Sequence, residues 1–346
     1  MTARLTAGAR ADLSEPADAL RRLIEDSVEM ELGPEPTEDG RLRLTGEGWS
    51  VEAAAGPQGL SLRLDAVDGT LMRGVKEMAI HLLARVSPEA SEALRWSDGA
   101  VPGALPADLR LWTWLRRTPV APGLDRLTFA TEDAARYAGE AMHVRLLAPP
   151  CDGRAAEWPR QKPNGGFAWP EGEAALAARV YTVRRARPEL GEVDVDVVDH
   201  GPDLLAGWVA RARPGWRLGA LGPSGGPPPD DGLLIAGADL CALPALARLL
   251  EAAPRRRGIV VAAGPAEAAA YLAPPPGVAL RLMPPETPAE ALAEAYLAAA
   301  AELSGDLAQA RWWFAAEAAG ARRARAGLDG RGVDRRRRDC VAYWRA

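Results

Sequence analysis

The stretch Arg179-Val180-Tyr181-Thr182-Val183-Arg184-Arg185 combines β-forming residues with guanidinium, phenol and hydroxyl groups. Arg offers a planar fork that matches phosphate oxygens, Tyr an aromatic face with a polar tip, and Thr a short hydroxyl. We therefore interpret the stretch as a strand that binds a flat, phosphorylated cofactor, for which a flavin nucleotide is the candidate. In a strand, Arg179 and Tyr181 point to one face, and Val180 and Thr182 to the other. The residues alone also fit an edge strand with solvated arginines.

The composition of the chain argues against nucleic-acid binding. At 346 residues, the chain is too long for one ordinary core. A usual domain size of about 150 residues predicts two or three domains, and we expect three. The formal net charge of -5 provides no basic surface for nucleic acid. Lys76 and Lys162 are the only lysines, and all other basic side chains except the histidines are arginines. Such usage often follows genome composition, so an arginine cluster does not by itself indicate an anion site.

The cysteines and histidines indicate neither a disulfide framework nor a metal site. Cys151, Cys241 and Cys340 are far apart and odd in number, which fits a reducing compartment. The histidines form no spaced cluster with cysteines or carboxylates, so no bound metal is predicted. The first residues lack the apolar core of a secretory signal, and the longest apolar run, 233–250, is interrupted by polar and helix-breaking residues. We expect a cytoplasmic protein with no membrane insertion.

Residues 1–100 are predicted to form a small α+β domain. Ser14 is the predicted N-cap of a first helix, and the later strands alternate apolar and polar residues as a half-buried sheet does. His81 has no partner near it in sequence, and the pattern assigns no chemistry to this domain. A Pro/Gly-rich linker follows at 100–106. The predicted strands cover 41–44, 49–53 and 60–66, and a second helix covers 69–86.

Residues 106–225 are predicted to form an antiparallel β-barrel that contains the quoted stretch. Strand patterns follow one another there with no long helix between them. The loop at 151–170 is either a functional lid or an excursion of the chain. The turn His200-Gly201-Pro202 precedes a predicted helix at 204–211, and phosphate can bind where such a helix begins. The predicted strands cover 109–114, 124–131, 142–147, 178–185 and 192–198.

Residues 231–346, after a second Pro/Gly-rich linker at 222–231, are predicted to form an α/β domain. Strand and helix patterns alternate, and the strands are apolar throughout, which indicates a parallel, doubly wound sheet. Ligands of such sheets bind at the carboxyl ends of the strands, here near Asp239. The basic run at 335–338 is interpreted as a solvated segment. The predicted strands cover 232–237, 258–263, 278–283 and 311–314, and the predicted helices cover 242–252, 266–272 and 288–304.

Taken in order, these motifs resemble those of the bacterial siderophore-interacting proteins, which are flavin-dependent ferric-siderophore reductases related to ferredoxin reductases. The flavin signature Arg-x-Tyr-Thr-x-Arg is present as Arg179, Tyr181, Thr182 and Arg184. The resemblance covers about residues 106–346. Its other matching positions are Val197 to Gly201 with Trp208, Asp239 with Ala242-Leu243-Pro244-Ala245, and Trp313, Ala315, Glu317 and Tyr343-Trp344-Arg345.

The resemblance implies that the protein binds FAD, takes electrons from NADH or NADPH, and reduces a ferric siderophore or another iron chelate. It implies catalytic roles for Tyr181 at the flavin ring and for Thr182 near its reacting nitrogen, and a phosphate contact for Arg179. Cationic groups for an anionic iron chelate are expected at Arg185, Arg187 and Arg345. The cofactor-binding residues implied are Arg179, Val180, Tyr181, Thr182, Val183, Arg184, His200, Gly201, Ala206, Trp208, Asp239, Ala242, Leu243, Pro244 and Glu317.

Two departures from the family pattern leave alternatives open. Leu240 and Cys241 replace a Glu and a Thr in the nicotinamide turn, and Leu204-Leu205-Ala206 replaces a Gly-Pro-Ala. The chain could therefore be a flavoprotein-like binding module without nicotinamide-driven turnover, or a general flavin reductase with another acceptor. No Lys or Arg follows the second α/β strand over 262–272, which slightly favours NADH over NADPH. The oligomeric state stays open.

Overall fold

The computed structural model describes residues 4–30, 32–35, 37, 39–46, 48–198, 205–225, 232–303 and 307–345. These residues divide into two compact units. One comprises Met1–Arg110, Pro149–Leu176 and Gly219–Ser224, and the other Leu111–Ala148, Ala177–Leu218 and Gly225–Ala346. The long loop at Pro149–Leu176 therefore belongs to the same unit as the N-terminal domain, although the strands on either side of it belong to the other unit.

The N-terminal domain is an antiparallel sheet in the order β1-β4-β3-β2 with helices packed on one face. Leu60, Leu62 and Leu64 of β4 are buried and alternate with exposed residues, as the sequence pattern predicts. The helix α1 begins at Pro16 after an N-cap at Glu15, so the predicted cap at Ser14 is wrong by one residue. The elements are β1 (Leu5–Asp12), α1 (Pro16–Glu29), β2 (Leu42–Gly46), β3 (Trp49–Gly56), β4 (Gly59–Ala66), α2 (Gly69–Val86) and α3 (Pro88–Ala93).

A closed six-stranded barrel follows, in the order β10-β11-β6-β5-β12-β7, and it confirms the predicted barrel. Its interior is aromatic, with the Trp112 ring 4.9 Å from the Tyr137 ring at 85° and 5.6 Å from Phe129. The strands are β5 (Leu109–Ala121), β6 (Leu124–Ala130), β7 (His143–Ala148), β10 (Ala177–Arg187), β11 (Glu192–Val198) and β12 (Arg217–Ser224), with the two-residue strands β8 (Arg160–Gln161) and β9 (Phe167–Ala168) in the long loop and α4 (Leu205–Arg211) before β12.

A parallel sheet in the order β15-β14-β13-β16-β17 forms the last part of the chain, with helices on both faces. This arrangement confirms the predicted doubly wound α/β domain. Phe314 packs so closely on Gly237 that an added Cβ would lie 2.5 Å from its ring. The elements are β13 (Leu233–Ala238), α5 (Leu243–Glu251), β14 (Arg257–Ala263), α6 (Ala268–Leu272), β15 (Val278–Met283), α7 (Ala289–Ala299), β16 (Arg311–Glu317), α8 (Ala318–Gly330) and β17 (Arg338–Trp344).

Besides the two-residue strands β8 and β9, the sequence-based prediction lacks three strands of the described chain: β1, β12 and β17. The predicted linker at 222–231 begins inside β12, and residues 226–231 lie outside the described part of the chain. The predicted solvated segment at 335–338 is a short 3-10 turn that leads into β17. Because β17 pairs with β16, it brings the end of the chain to the carboxyl edge of the sheet, which positions the site.

Candidate functional site

Thr182 lies at the centre of a cluster of three side chains, which we call the Thr182 cluster: Thr182, His143 and Tyr343. Thr182 and His143 are directly opposite each other on β10 and β7, and Thr182 Oγ1 is 3.5 Å from His143 Nδ1. A hydrogen bond joins the Thr182 side chain to the hydroxyl of Tyr343, near the end of β17. The Tyr343 and His143 rings meet edge to face, with centroids 6.0 Å apart. The last strand of the parallel sheet therefore contacts the predicted flavin strand directly.

His143 is a neutral imidazole at physiological pH. Burial and, to a lesser degree, the Arg248 guanidinium lower the pKa of His143 to about 4. Depending on its tautomer, Nδ1 of the imidazole can therefore accept a hydrogen bond from the Thr182 hydroxyl or donate one to it. The sequence reasoning missed this residue because its partner, Thr182, is far away along the chain and no local motif surrounds it.

Acidification is expected to destabilise the protein through His143. Its pKa falls from an ordinary 6.5 to about 4 on folding, so between these values the unfolded state binds more protons than the folded state. The free energy of unfolding should therefore decrease by about 2 kcal/mol as the pH is lowered from about 7 to about 5. Chemical denaturation of the wild type and of His143→Gln at both pH values checks this. The free energy of unfolding of the variant should decrease less between the two pH values, by about the His143 contribution. An equal decrease in both proteins would assign the acid sensitivity to other groups.

Tyr181 and Arg179 lie on the other face of β10. Burial raises the pKa of the Tyr181 phenol to about 12, and a hydrogen bond with the backbone of Leu205, the first residue of α4, opposes that shift. The Arg179 guanidinium is exposed, and its Nη1 donates to the carbonyl of Ala178 at 2.8 Å. Val180 is 57% exposed, which is unusual for a valine in a strand. The start of β10 thus presents a guanidinium, an aromatic ring and an uncovered apolar side chain.

Arg184 and Val183 have other surroundings than the sequence predicts. The Arg184 guanidinium is buried and forms a bidentate ion pair with Glu251 of α5, at 2.6 and 2.9 Å, and it packs over the Tyr271 ring at 5.4 Å. The Val183 side chain is fully buried, and its carbonyl accepts from Arg248 at 3.1 Å. These contacts join β10 to the helices of the α/β domain, so both residues have internal partners in the fold.

The three arginines predicted for the substrate differ in their surroundings. Arg187 donates to Glu192 at 2.9 Å and to the buried Asp194 at 2.5 Å. The guanidinium groups of Arg116 and, to a lesser degree, Arg187 lower the pKa of Glu192 to about 2. Arg187 is therefore engaged on the barrel wall, whereas Arg185 and Arg345 are exposed to solvent.

Asp239 organises the carboxyl edge of the parallel sheet. Its Oδ1 accepts from the Ala242 N–H at 3.2 Å, and its Oδ2 accepts from the Glu317 N–H at 2.9 Å and from Trp344 Nε1 at 2.7 Å. Burial raises the pKa of Asp239, and these donors, with the backbone of Cys241, oppose that shift. The carboxylate thus ties together the ends of β13, β16 and β17. This internal role differs from the direct cofactor contact that the resemblance implies.

The other residues predicted for the nucleotides are largely internal. The side chains of Ala242, Leu243 and Pro244 are buried at the start of α5. The Glu317 carboxylate accepts from the Ala319 N–H at 2.6 Å and so caps α8. Trp208 is buried on α4, with its ring centroid 6.4 Å from that of Trp216. His200 and Gly201 lie outside the described residues, as does the side chain of Ala206.

Each face of β10 offers groups that suit part of a flavin nucleotide. An exposed guanidinium can pair with phosphate oxygens, and the exposed Val180 offers apolar surface that a ring system would cover. The Thr182 hydroxyl supplies a polar contact on the same face as Val180.

Among the described residues, no three His, Cys, Asp or Glu side chains are grouped to hold a metal ion. Nor does any described helix have the length and apolar character needed to cross a membrane.

The described residues thus combine a six-stranded antiparallel barrel with a parallel α/β sheet, as the sequence predicts. Residues 113–227 match the family described as siderophore-interacting FAD-binding domain, and residues 231–346 match the siderophore-interacting protein family. The chain belongs to the siderophore-interacting protein family.

Similar proteins of known sequence or structure agree with this assignment. The chain is 32% identical over 151 residues to a ferric vibriobactin reductase of Vibrio cholerae, a match that covers 42% of this chain and 54% of the relative. The chain thus spans about half the length of the curated relatives it matches. The siderophore-interacting protein SipS from Aeromonas hydrophila is 27% identical, with a TM-score of 0.53 over 69% of this chain and 99% of that one. A siderophore utilization protein from T. fusca is 26% identical, with a TM-score of 0.58 over 71% and 96%.

Proposed function

We propose that the protein is a cytoplasmic FAD-dependent reductase that takes electrons from NADH or NADPH and passes them to the iron of a ferric siderophore. The proposal rests on the family membership, on the residues of β10 and on the contacts of β10 with the α/β domain. FAD, when bound, supplies the conversion between two-electron and one-electron chemistry. The iron is the substrate in this proposal. Its reduction would favour release, because the hard oxygen ligands of a siderophore hold Fe(II) less tightly than Fe(III).

The observation that carries the proposal is the pair of neighbouring aromatic residues at the end of β17. Tyr343 is hydrogen-bonded to Thr182 of the flavin strand, and Trp344 donates to Asp239 at the end of β13. A nucleotide at the carboxyl edge of a parallel sheet would therefore bind beside the Thr182 cluster. Hydride transfer needs the reacting groups in contact, and these residues bring the two predicted binding regions together.

Each residue of the site has a proposed role that follows from its surroundings. The exposed Arg179 guanidinium would pair with a flavin phosphate, and the Tyr181 ring would pack against the cofactor. The Thr182 hydroxyl would contact the flavin ring, and the neutral His143 would hold that hydroxyl in place and set whether it donates or accepts. Thr182 would then act as the polar contact nearest to the reacting position.

NADH is the proposed electron donor. The loop between β14 and α6 contains no Lys or Arg, and it holds the exposed carboxylate of Glu267. The extra phosphate of NADPH favours a basic side chain after the second strand, whereas a carboxylate suits the ribose hydroxyl of NADH. The exposed Arg185 and Arg345 are the proposed contacts for an anionic ferric siderophore, since both guanidinium groups are accessible.

A binding module without nicotinamide-driven turnover is the second candidate. The observation that favours it is the internal use of Asp239, whose oxygens accept from protein donors, beside Leu240 and Cys241 in the same turn. Such a turn offers fewer polar groups to a coenzyme than one with Glu and Thr. This candidate would bind FAD and a siderophore but would not be reduced by either coenzyme.

An anaerobic reduction experiment separates the candidates. The purified chain is loaded with FAD and mixed first with NADH or NADPH and then with a ferric siderophore. We expect NADH to bleach the flavin band faster than NADPH, and the ferric siderophore to restore it with formation of Fe(II). Bleaching by neither coenzyme would favour the binding module. Reoxidation by ferric citrate or a quinone but not by ferric siderophores would indicate a general reductase, and failure to bind FAD would exclude all of these functions.

A further inference from the structure

The long loop between β7 and β10 is docked on the N-terminal domain. Residues Pro149–Leu176 belong to the same compact unit as Met1–Arg110. The loop holds a small hairpin in which Arg160 pairs with Ala168 and Gln161 with Phe167. The hairpin lies within the segment that matches the FAD-binding family, so its contact links that segment to the N-terminal domain.

Asn164 at the tip of the hairpin is the centre of the contact. It is 1% exposed, and both ends of its amide are used: Nδ2 donates to the Ser91 carbonyl at 3.1 Å, and Oδ1 accepts from the Gly166 N–H at 3.1 Å. The Asn164 carbonyl accepts from Trp96 Nε1 at 2.9 Å. A buried amide with its groups satisfied in this way specifies one docked arrangement, because losing a partner leaves a desolvated polar group.

One glycine allows the hairpin to approach the N-terminal domain closely. Gly165 has φ +80°, and a Cβ there would lie 2.7 Å from Cδ1 of Trp96. The Trp96 ring also has a cationic neighbour in its own domain, Lys76, whose Nζ lies 5.6 Å from the ring centroid.

Backbone and charged contacts extend the docked surface. The Gln161 N–H donates to the Ala104 carbonyl at 2.8 Å, and the Gln161 carbonyl accepts from the Gly103 N–H at 2.8 Å. The Gln161 side chain accepts from the Val101 N–H at 2.9 Å. Lys162 forms an ion pair with Glu92 at 2.5 Å. The segment predicted as the first linker is therefore paired with the hairpin.

The docked loop leads directly into the cofactor strand. Its two ends continue into β7 and β10, where Ala148 pairs with Ala177, Leu147 with Ala178 and Leu146 with Arg179. We propose that the N-terminal domain is the docking platform of this loop, and that docking keeps the first residues of β10, including Arg179, in register for the flavin phosphate. The second part rests on the proposed FAD binding.

Two changes at Asn164 test the proposal in the full-length chain. Asn164→Ala removes the amide, and Asn164→Asp turns a carboxylate toward the Ser91 carbonyl. Both should raise amide hydrogen exchange in the hairpin at 158–168 by about tenfold and weaken FAD binding by a similar factor, as expected for the loss of one buried hydrogen bond. Mass spectrometry of exchange and flavin fluorescence titration measure the two effects. Far-ultraviolet circular dichroism confirms that each variant is folded.

A matched pair of tryptophan variants gives the control. Trp96→Phe keeps an aromatic ring but removes the Nε1 donor to Asn164, so it should loosen the hairpin and weaken FAD binding. Trp49→Phe makes the same change elsewhere in the N-terminal domain and should do neither. Unchanged exchange in the Asn164 variants would overturn the docking platform, and a looser hairpin with unchanged FAD affinity would overturn its link to β10. A wild type that binds no FAD would overturn the proposed function, while the exchange data would still decide the docking.

Discussion

Arg179→Ala is expected to weaken FAD binding by about 100-fold, because a charge-assisted pair between a guanidinium and a phosphate contributes about 3 kcal/mol. The Arg179 side chain is exposed and donates to the neighbouring Ala178 carbonyl, so its loss should leave the fold intact. Fluorescence titration with FAD measures the affinity, and thermal unfolding of the apoprotein checks that stability is unchanged.

Arg185→Ala is the matched control for this experiment. Arg185 is an exposed arginine of the same strand, so the variant removes the same charge from β10 at a position to which we assign no phosphate contact. Its FAD affinity should stay within about twofold of the wild type, since long-range effects of one exposed charge are screened by salt. Equal losses in both variants would indicate a general charge effect and would remove Arg179 from the proposed site.

Asp239→Asn is expected to destabilise the α/β domain by about 2–3 kcal/mol, because it leaves partly buried donors without a charged acceptor. An asparagine keeps one acceptor oxygen and replaces the other with an NH2 group. Depending on its orientation, that NH2 group faces either the Ala242 N–H or the Glu317 N–H and Trp344 Nε1, which all donate to Asp239 in the wild type. The end of β17 should loosen, and with it the contact between Tyr343 and Thr182. Chemical denaturation measures the loss of stability.

Trp344→Phe separates the parts of this effect. The variant removes one donor to Asp239 and leaves the backbone donors in place, so it should cost about 1–2 kcal/mol. If Asp239 contacts the coenzyme directly, as the family resemblance implies, Asp239→Asn should instead weaken NADH binding with little loss of stability. The comparison of stability with coenzyme affinity therefore decides between an internal anchor and a ligand.

The barrel and the parallel sheet could be predicted because their strands have clear hydrophobic patterns. Residues Leu234 to Ala238 are apolar throughout and are buried on both faces, as in other parallel sheets covered by helices. The edge strand β17 lacks such a pattern, since its sequence mixes arginine, aspartate and cysteine with apolar residues and stays partly exposed. Without β17, the positions of Tyr343 and Trp344 relative to the site could not be predicted.

The partners of the polar site residues were beyond sequence reasoning for a different reason. Arg184 matches a flavin signature, but its guanidinium pairs with Glu251, 67 residues further along the chain. Asp239 accepts from Trp344 at a separation of 105 residues, and Trp96 donates to Asn164 at a separation of 68. A motif indicates the chemistry that a side chain can perform, whereas the fold determines which distant residue it contacts.

In the proposed function, a nicotinamide bound at the edge of the parallel sheet reduces a flavin bound on β10. This step can be tested by anaerobic stopped-flow absorbance with NADH that carries deuterium in the transferred position. We predict that the flavin band bleaches more slowly with the deuterated coenzyme than with ordinary NADH, as direct hydride transfer requires. Absence of bleaching at saturating NADH and NADPH, with FAD bound, would contradict the claim.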